Sequence, residues 1–272
     1  MKRRHFIKRS AAGAAGLSLM PGIISACSET ANPLRQLGII TNTIAAPLKD
    51  DWAKTLREVG DIGYKYLEHG GIFGDDKQHF ESVMAEAGLE SLAGGASIAQ
   101  MQGDDLKKLI DRALSLKKKY VVCYWPWMHS GEHIVMDDLK YAVDHFHLIG
   151  ERCNDVGLRF ATHNHDKEFR KVDDTVIYDY FLEYTDPALV TMELDIYWIT
   201  KGGGDPLYYF DKYPGRFELL HMKDMNDDDD ETFACVGSGK IDFQAILDKS
   251  RIAGVKHLIV EHDHPEHPME CA

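Results

Sequence analysis

From Leu37 onward the chain alternates between short apolar runs and longer amphipathic stretches. Apolar runs of strand length begin near Leu37 (LGIIT), Tyr64 (YKYLEHG), Leu89 (LESLAGG), Tyr120 (YVVCYW), Arg159 (RFATHNH), Val190 (VTMELDIYW), Phe217 (FELLHMKD) and His257 (HLIVEHD). Runs this short and this apolar are what strands buried on both faces of a parallel sheet look like. Between them, DDWAKTLREVG, DKQHFESVMAEAG, DDLKKLIDRALSLKKK, DDLKYAVDHFHLIGERCNDVG and DFQAILDKSRIAG carry the three-and-four spacing of helices with one buried face. Several open on Asp, which suits a free first turn and the positive end of the dipole. Several close on glycine: Gly60, Gly88, Gly157 and Gly254. Eight strands alternating with helices over residues 36–272 predict an α/β fold, a (β/α)8 TIM barrel. An open doubly wound sheet fits less well, because no G-x-G-x-x-G follows the first strand. After the eighth strand only PEHPMECA remains, so the eighth helix is expected to be missing. A bare flank, a truncated chain or a covering partner such as a second copy would each account for that.

In such barrels chemistry belongs to the carboxyl ends of the strands. Those ends read Glu68 and His69; Trp125; His163 and His165; Glu193 and Asp195; His221 and Lys223; Glu261 and Asp263. From the fifth strand on, ionisable residues stand two apart, hence on one face. Charged groups are rarely buried unless paired or bound to metal. One divalent cation resolves the pattern, because imidazole and carboxylate suit Mn2+, Zn2+, Co2+ or Fe2+. Mn2+ is the first expectation. One of the two histidines then binds the ion and the other faces the substrate or orients a ligand.

These strand ends, with LDIYW, LLHMKD, VGSGKIDF and IVEHD, resemble the xylose isomerase-like TIM barrels, the sugar phosphate isomerase/epimerase group, over roughly residues 36–264. The resemblance implies an ion held by Glu, Asp, His and Glu from strands five to eight. Asp195, His221 and Glu261 match the last three positions. Counting from Gly157, the first falls on His163, which keeps a ligand type but removes a carboxylate. Two-base epimerisation is thereby disfavoured, and a one-base reaction is not. The HNH variant resembles exported members that act on 3-keto-glycosides. The implied chemistry is proton removal next to a sugar carbonyl by Glu261 or His165, with Lys223 stabilising negative charge or protonating an oxygen. Glu68, Trp125, Tyr197 and Trp198 are expected to hold the carbohydrate, the aromatic rings by stacking; Trp127 is a further stacking candidate. A non-catalytic sugar-binding lipoprotein on the same barrel is the competing reading, and it has no need of a base at Glu261.

Blander readings apply elsewhere. Glu193 is expected to hydrogen-bond a ligand rather than bind the ion, and His69 to be structural. Glu68 serves equally as a strand-end cap, and Trp125 and Trp127 as a plug at the barrel mouth. His129, His133, His145 and His147 read as solvated. NDDDDE (226–231) lacks EF-hand spacing and reads as a solvated loop. GSGK (237–240) reads as a turn before a helix capped by Asp242.

The net charge of −13 argues against nucleic acid as a partner, since phosphate binding needs a basic surface. It also argues against an apurinic-site endonuclease on this barrel. Residues 1–26 combine a basic segment, with Arg3 and Arg4 adjacent, and an apolar segment ending ISAC. They resemble a twin-arginine lipoprotein signal, with a generic secretory signal as the alternative. Its removal would delete five basic residues and no acidic one, taking the charge from −13 to −18. Cys27 would then be lipidated, residues 27–35 a tether, and the barrel exported to the periplasmic side or cell envelope, touching membrane only through its lipid. Cys123, Cys153, Cys235 and Cys271 show no metal-type spacing; they are expected as buried free thiols, with a disulfide outside the cytoplasm as the alternative and no pair selected.

Overall fold

The computed structural model describes residues 37–272; the expected signal 1–26, Cys27 and the tether 27–35 lie outside them. The strands are β1 (Leu37–Ile40), β2 (Tyr66–Glu68), β3 (Glu90–Ala93), β4 (Gly95–Ser97), β5 (Tyr120–Trp125) and β6 (Arg159–His163). They continue with β7 (Lys171–Val172), β8 (Thr175–Val176), β9 (Val190–Asp195), β10 (Leu219–Met222), β11 (Asp224–Met225), β12 (Phe233–Ala234) and β13 (His257–Val260). One sheet runs in the order β3-β2-β1-β13-β10-β9-β6-β5-β4. Every pairing within it is parallel. Its two ends, β3 and β4, are separated along the chain only by Gly94, so the sheet closes on itself. The nine segments are eight staves, the third one kinked. The predicted TIM barrel is the observed fold.

The closure depends on two glycines. A Cβ at Gly94 would lie 2.1 Å from the carbonyl oxygen of His69, and one at Gly95 would lie 1.6 Å from that of Val122. The third stave can therefore pass from β2 to β5 only where the chain has no side chains.

Alternation divides each strand. Phe160, Met192, Leu194, Leu220 and Leu258 face the helices in the largest apolar cluster. Tyr66, Tyr120, Val122, Ala161, Leu219 and Ile259 fill the barrel interior. Helices Ala45–Ile62, Lys77–Glu86, Gly103–Ser115, Met136–Asn154, Ile177–Tyr184, Pro206–Lys212 and Phe243–Ala253 form the outer layer. Asp76 and Asp242 cap as expected, accepting from Gln78 N at 2.8 Å and Ala245 N at 3.1 Å. The first helix departs from expectation at both ends. It begins at Ala45 and breaks at Asp51, whose carboxylate accepts from Lys54 N at 3.0 Å and restarts the helix. Gly60 does not end it. A Cβ there would lie 2.1 Å from the Ala87 carbonyl oxygen, so Gly60 lets the helix approach the end of Lys77–Glu86.

After β13 the chain adds one short helix, Pro268–Cys271, where a full eighth helix would stand. The expectation of four free thiols is corrected. Cys235 and Cys271 form a disulfide with Cα atoms 4.9 Å apart, pinning this C-terminal helix to the segment after β12. Spacing alone did not select the pair. Cys123 and Cys153 are free and buried.

Candidate active site

The inward parity that carries Ala161 and Leu219 in the barrel interior brings Glu68, Tyr124, His163, Glu193, Asp195, His221 and Glu261 to its carboxyl end. All but the partly exposed Tyr124 are buried. Register sets their heights: His163 pairs with Glu193 across β6 and β9, and His221 with Asp195 across β9 and β10. His163 is therefore level with Glu193 rather than with Asp195.

His221 is the hub. Its Nδ1 lies 2.6 Å from Glu261 Oε2, and its Nε2 lies 3.2 Å from Glu68 Oε2 and 3.4 Å from Glu193 Oε1. Tyr124 donates its hydroxyl to the other oxygen of Glu68. His163 Nδ1 is 3.4 Å from Glu193 Oε2. Lys223, buried, reaches Asp263 Oδ2 at 2.5 Å, and Asp195 and Glu261 each at 3.8 Å. Asp195 is fixed by Asn164, whose Oδ1 accepts from Asp195 N at 2.9 Å, and Asp195 Oδ1 accepts from Trp198 N at 2.8 Å.

Four buried carboxylates thus converge on one imidazole and one ammonium. Burial, reinforced by Glu68, drives Glu193 above the ordinary carboxylate range. Burial raises Asp195 too, against the pull of Lys223. Burial opposes charge on His221, yet Glu193, Glu261 and Glu68 together hold it well above the imidazole range. Burial also opposes charge on Glu261, but His221 and Lys223 hold it well below its usual range. Burial and then His221 hold His163 neutral, and burial and then Lys223 bring His165 down to about 4.

Both oxygens of Glu193, Asp195 Oδ2 and His163 Nδ1 are buried without a well-formed hydrogen bond, a rare condition for buried polar atoms. Donor atoms of His163, Glu193 and His221, and likewise of Asp195, His221 and Glu261, lie within 4.8 Å of one another. That spread is close to the ~4 Å spanned by ligands bonded at ~2.1 Å to one ion. Charge, orphaned donors and spacing therefore fit a divalent cation. His163 and Asp195, both expected on the same ion, belong to different sets that share His221, and Glu193, expected only to hydrogen-bond a ligand, is a member of the set with His163.

A cavity of about 600 Å³ opens over this cluster, with Tyr124, His163, His165, His221, Glu261 and Asp263 on one side. The rest of the lining comes from the end of β1, the start of helix Ala45–Ile62 and the segment after β2, including Ile40, Asn42, Leu48, His69 and Phe73. His69 also serves structure, with Nδ1 2.6 Å from Gly71 O and Nε2 2.8 Å from Ser91 Oγ. Trp125, Tyr197 and Trp198 do not line the cavity. Trp125 and Trp198 each stand 5.4 Å from the His165 ring, and Lys223 lies 5.6 and 5.0 Å from the rings of Tyr197 and Trp198. They jacket His165 and Lys223. Glu68 enters as a partner of His221 rather than at the open wall.

Tyr124, Asn164, Glu168 and the β1 end lay outside the residues expected from sequence. Tyr124 was available from parity: Tyr120, Val122 and Tyr124 alternate inward, and Trp125 falls on the other face. Glu168 is fully buried, accepting from His165 N at 2.6 Å and Trp127 Nε1 at 2.9 Å, and burial raises it to about 7. It positions the loop that carries His165. The acidic loop is held by Asp228, which accepts from Thr232, and by Glu231, paired with Lys240 and Lys201. The amides of Gly237, Gly239 and Ile241 are taken by the buried carboxylate of Asp224, so the GSGK turn is internally satisfied.

A closed barrel with a His/Asp/Glu cluster at its carboxyl end has the layout of an enzyme-type TIM barrel. Residues 56–270 match the family model of the xylose isomerase-like TIM barrel, and the chain belongs to that family. It is 24% identical over 225 residues to an inosose dehydratase of Geobacillus kaustophilus, covering 74% of this chain and 72% of that one. The inosose dehydratase of Lacticaseibacillus casei is 23% identical over 188 residues, and the match spans 58% of its length. A sugar phosphate isomerase/epimerase from Parabacteroides distasonis superposes with a TM-score of 0.73 at 25% identity, covering 93% of this chain and 95% of that one.

Proposed function

We propose that the protein is a divalent-metal-dependent carbohydrate-converting enzyme that removes a proton from a carbon next to a sugar carbonyl. Isomerisation, epimerisation and C–O elimination all begin with that step, which fits relatives named as a dehydratase and as an isomerase/epimerase. A single observation carries the reading. Glu261, ionised and 2.6 Å from His221, lies on the cavity wall beside the candidate ion-binding donors.

Asp195, His221 and Glu261, with His163 and Glu193 adjoining, would hold the ion. When bound, it supplies Lewis-acid polarisation of the substrate carbonyl. Glu261 takes the C–H proton, the electron pair moves onto the carbonyl oxygen, and Lys223 offers a fixed positive charge nearby. His163 and His165 are neutral, so neither is a proton source at neutral pH. In an elimination, the proton on Glu261 is the one returned to the departing oxygen as the pair reforms the carbonyl. With Glu261 as the one base this reading uses, elimination is favoured over two-base inversion, and 3-keto-glycosides are the substrates we propose.

The test is Glu261→Gln. Wild-type protein with Mn2+ should exchange the proton next to the keto group of a 3-keto-glucoside in deuterated water and release its substituent, followed by NMR. The variant should lose at least about a thousandfold in rate and still bind the sugar. Binding without turnover in the wild type would identify a sugar-binding protein instead.

We also propose export and lipid anchoring at Cys27. The Cys235–Cys271 disulfide supports an oxidising compartment. Cys27→Ser should abolish incorporation of labelled palmitate and release the protein from the membrane fraction.

A further inference from the structure

Resting on the reading above, we infer that the substrate is an unphosphorylated sugar carrying an apolar substituent. The cavity has two unlike parts. One part is the catalytic cluster; the rest of the lining sets the apolar side chains of Ile40, Ala45, Leu48 and Phe73 among the polar Thr41, Asn42, Lys49 and His69. That second part is a constructed wall. Leu48 is buried, and the Phe73 ring is held by Trp52, His69 and Phe80 at centroid distances of 6.5, 6.4 and 6.1 Å. A volume of about 600 Å³ lies in the range that takes a drug-sized ligand and exceeds the needs of one pyranose ring. With the ring's hydroxyls turned to the catalytic cluster, the rest of the ligand meets those apolar side chains, where an apolar group gains by leaving water.

The same site is poorly built for a phosphate. Lys223 is engaged by Asp263, Asp195 and Glu261, and the glycine-turn amides that might cradle an anion are engaged by Asp224. Lys223 is not on the lining, and the lysine that is, Lys49, is exposed. The carboxylates on the wall, Glu261 and Asp263, would repel a dianion.

Binding, measured apart from turnover, tests this. Calorimetric titration of the full chain with Mn2+, using phenyl β-glucoside, methyl β-glucoside and glucose 6-phosphate, should rank phenyl first by roughly tenfold or more and the phosphate last. Phe73→Ala should bring phenyl affinity down to that of methyl. Ala45→Glu, a change at an exposed position, should do the same by charging the wall. Equal affinity for phenyl and methyl, a preference for the phosphate, or no measurable phenyl binding would overturn the inference. Each of those results leaves the deuterium-exchange test of Glu261 standing, and a failure of that test leaves the binding order intact.

Discussion

His221 holds its place among three carboxylates, Glu261 on Nδ1 and Glu68 and Glu193 on Nε2, and both candidate donor sets lose a member when it is removed. His221→Ala should therefore weaken divalent binding by more than the ten- to hundredfold typical of supporting residues. Asp195→Ala and Glu193→Ala then report which side of the imidazole the ion occupies, read by competition with a fluorescent chelator. A larger loss for Asp195 assigns the ion to the Nδ1 side with Glu261. A larger loss for Glu193 moves it to the Nε2 side, beside His163, and would sink the assignment of Glu261 as a ligand. Sequence made the charged residues visible because pairs two apart at strand ends have no packing explanation. It did not make the sets visible. That depends on interstrand register, which puts His163 level with Glu193, and register is a property of the closed sheet. Tyr124 is different: simple alternation from Tyr120 points to it, whereas the tryptophans nearby drew attention by type rather than by direction.

At the scale of elements, the strand-helix rhythm and the capping Asp residues were legible because each is a local effect of side chain on backbone. Gly94 and Gly95 end the LESLAGG run with nothing local to mark their role, which is to let a kinked stave close the barrel against backbone from β2 and β5. Gly60 read as a helix end for the same reason, since its partner Ala87 is remote in sequence. The disulfide is likewise a contact of the folded state. Cys235 and Cys271 close a loop with a sequence separation of 36, for which chain-entropy arguments give about 2–4 kcal/mol of stabilisation. Cys271→Ser, Cys235→Ser and the double variant should each lose that amount in denaturant unfolding under non-reducing conditions. The wild type under reducing conditions should match them. If the variants unfold with the wild type, the bond contributes nothing to this end of the barrel.

At the scale of the whole molecule, the distribution of buried charge makes stability and ion binding respond to pH together. Glu193 and Asp195 are raised from ordinary values of 4.5 and 3.8, and Glu168 is raised to about 7. Each binds more protons folded than unfolded in the interval between its two values, so each makes the metal-free fold less stable as pH rises through that interval. His221, raised from 6.5, acts in the same direction above that value, because the unfolded chain has released its proton and the folded one has not. The lowered histidines His69, His163, His165 and His257 act oppositely, since they are neutral when folded and charged when unfolded. Their influence ends once the unfolded chain has also lost its protons, at about pH 6.5. Above that point the carboxylates and His221 are left uncompensated. The melting temperature of chelator-treated protein should fall between about pH 6.5 and 8. A divalent cation competes with the same protons, so the stabilisation produced by a fixed concentration of Mn2+ should grow over the same interval. Thermal unfolding with and without Mn2+ across that range checks both. A melting temperature that rises with pH in the chelated protein, or an Mn2+ shift that stays constant, would mean that the proton-holding carboxylates and the ion-binding carboxylates are not the same groups.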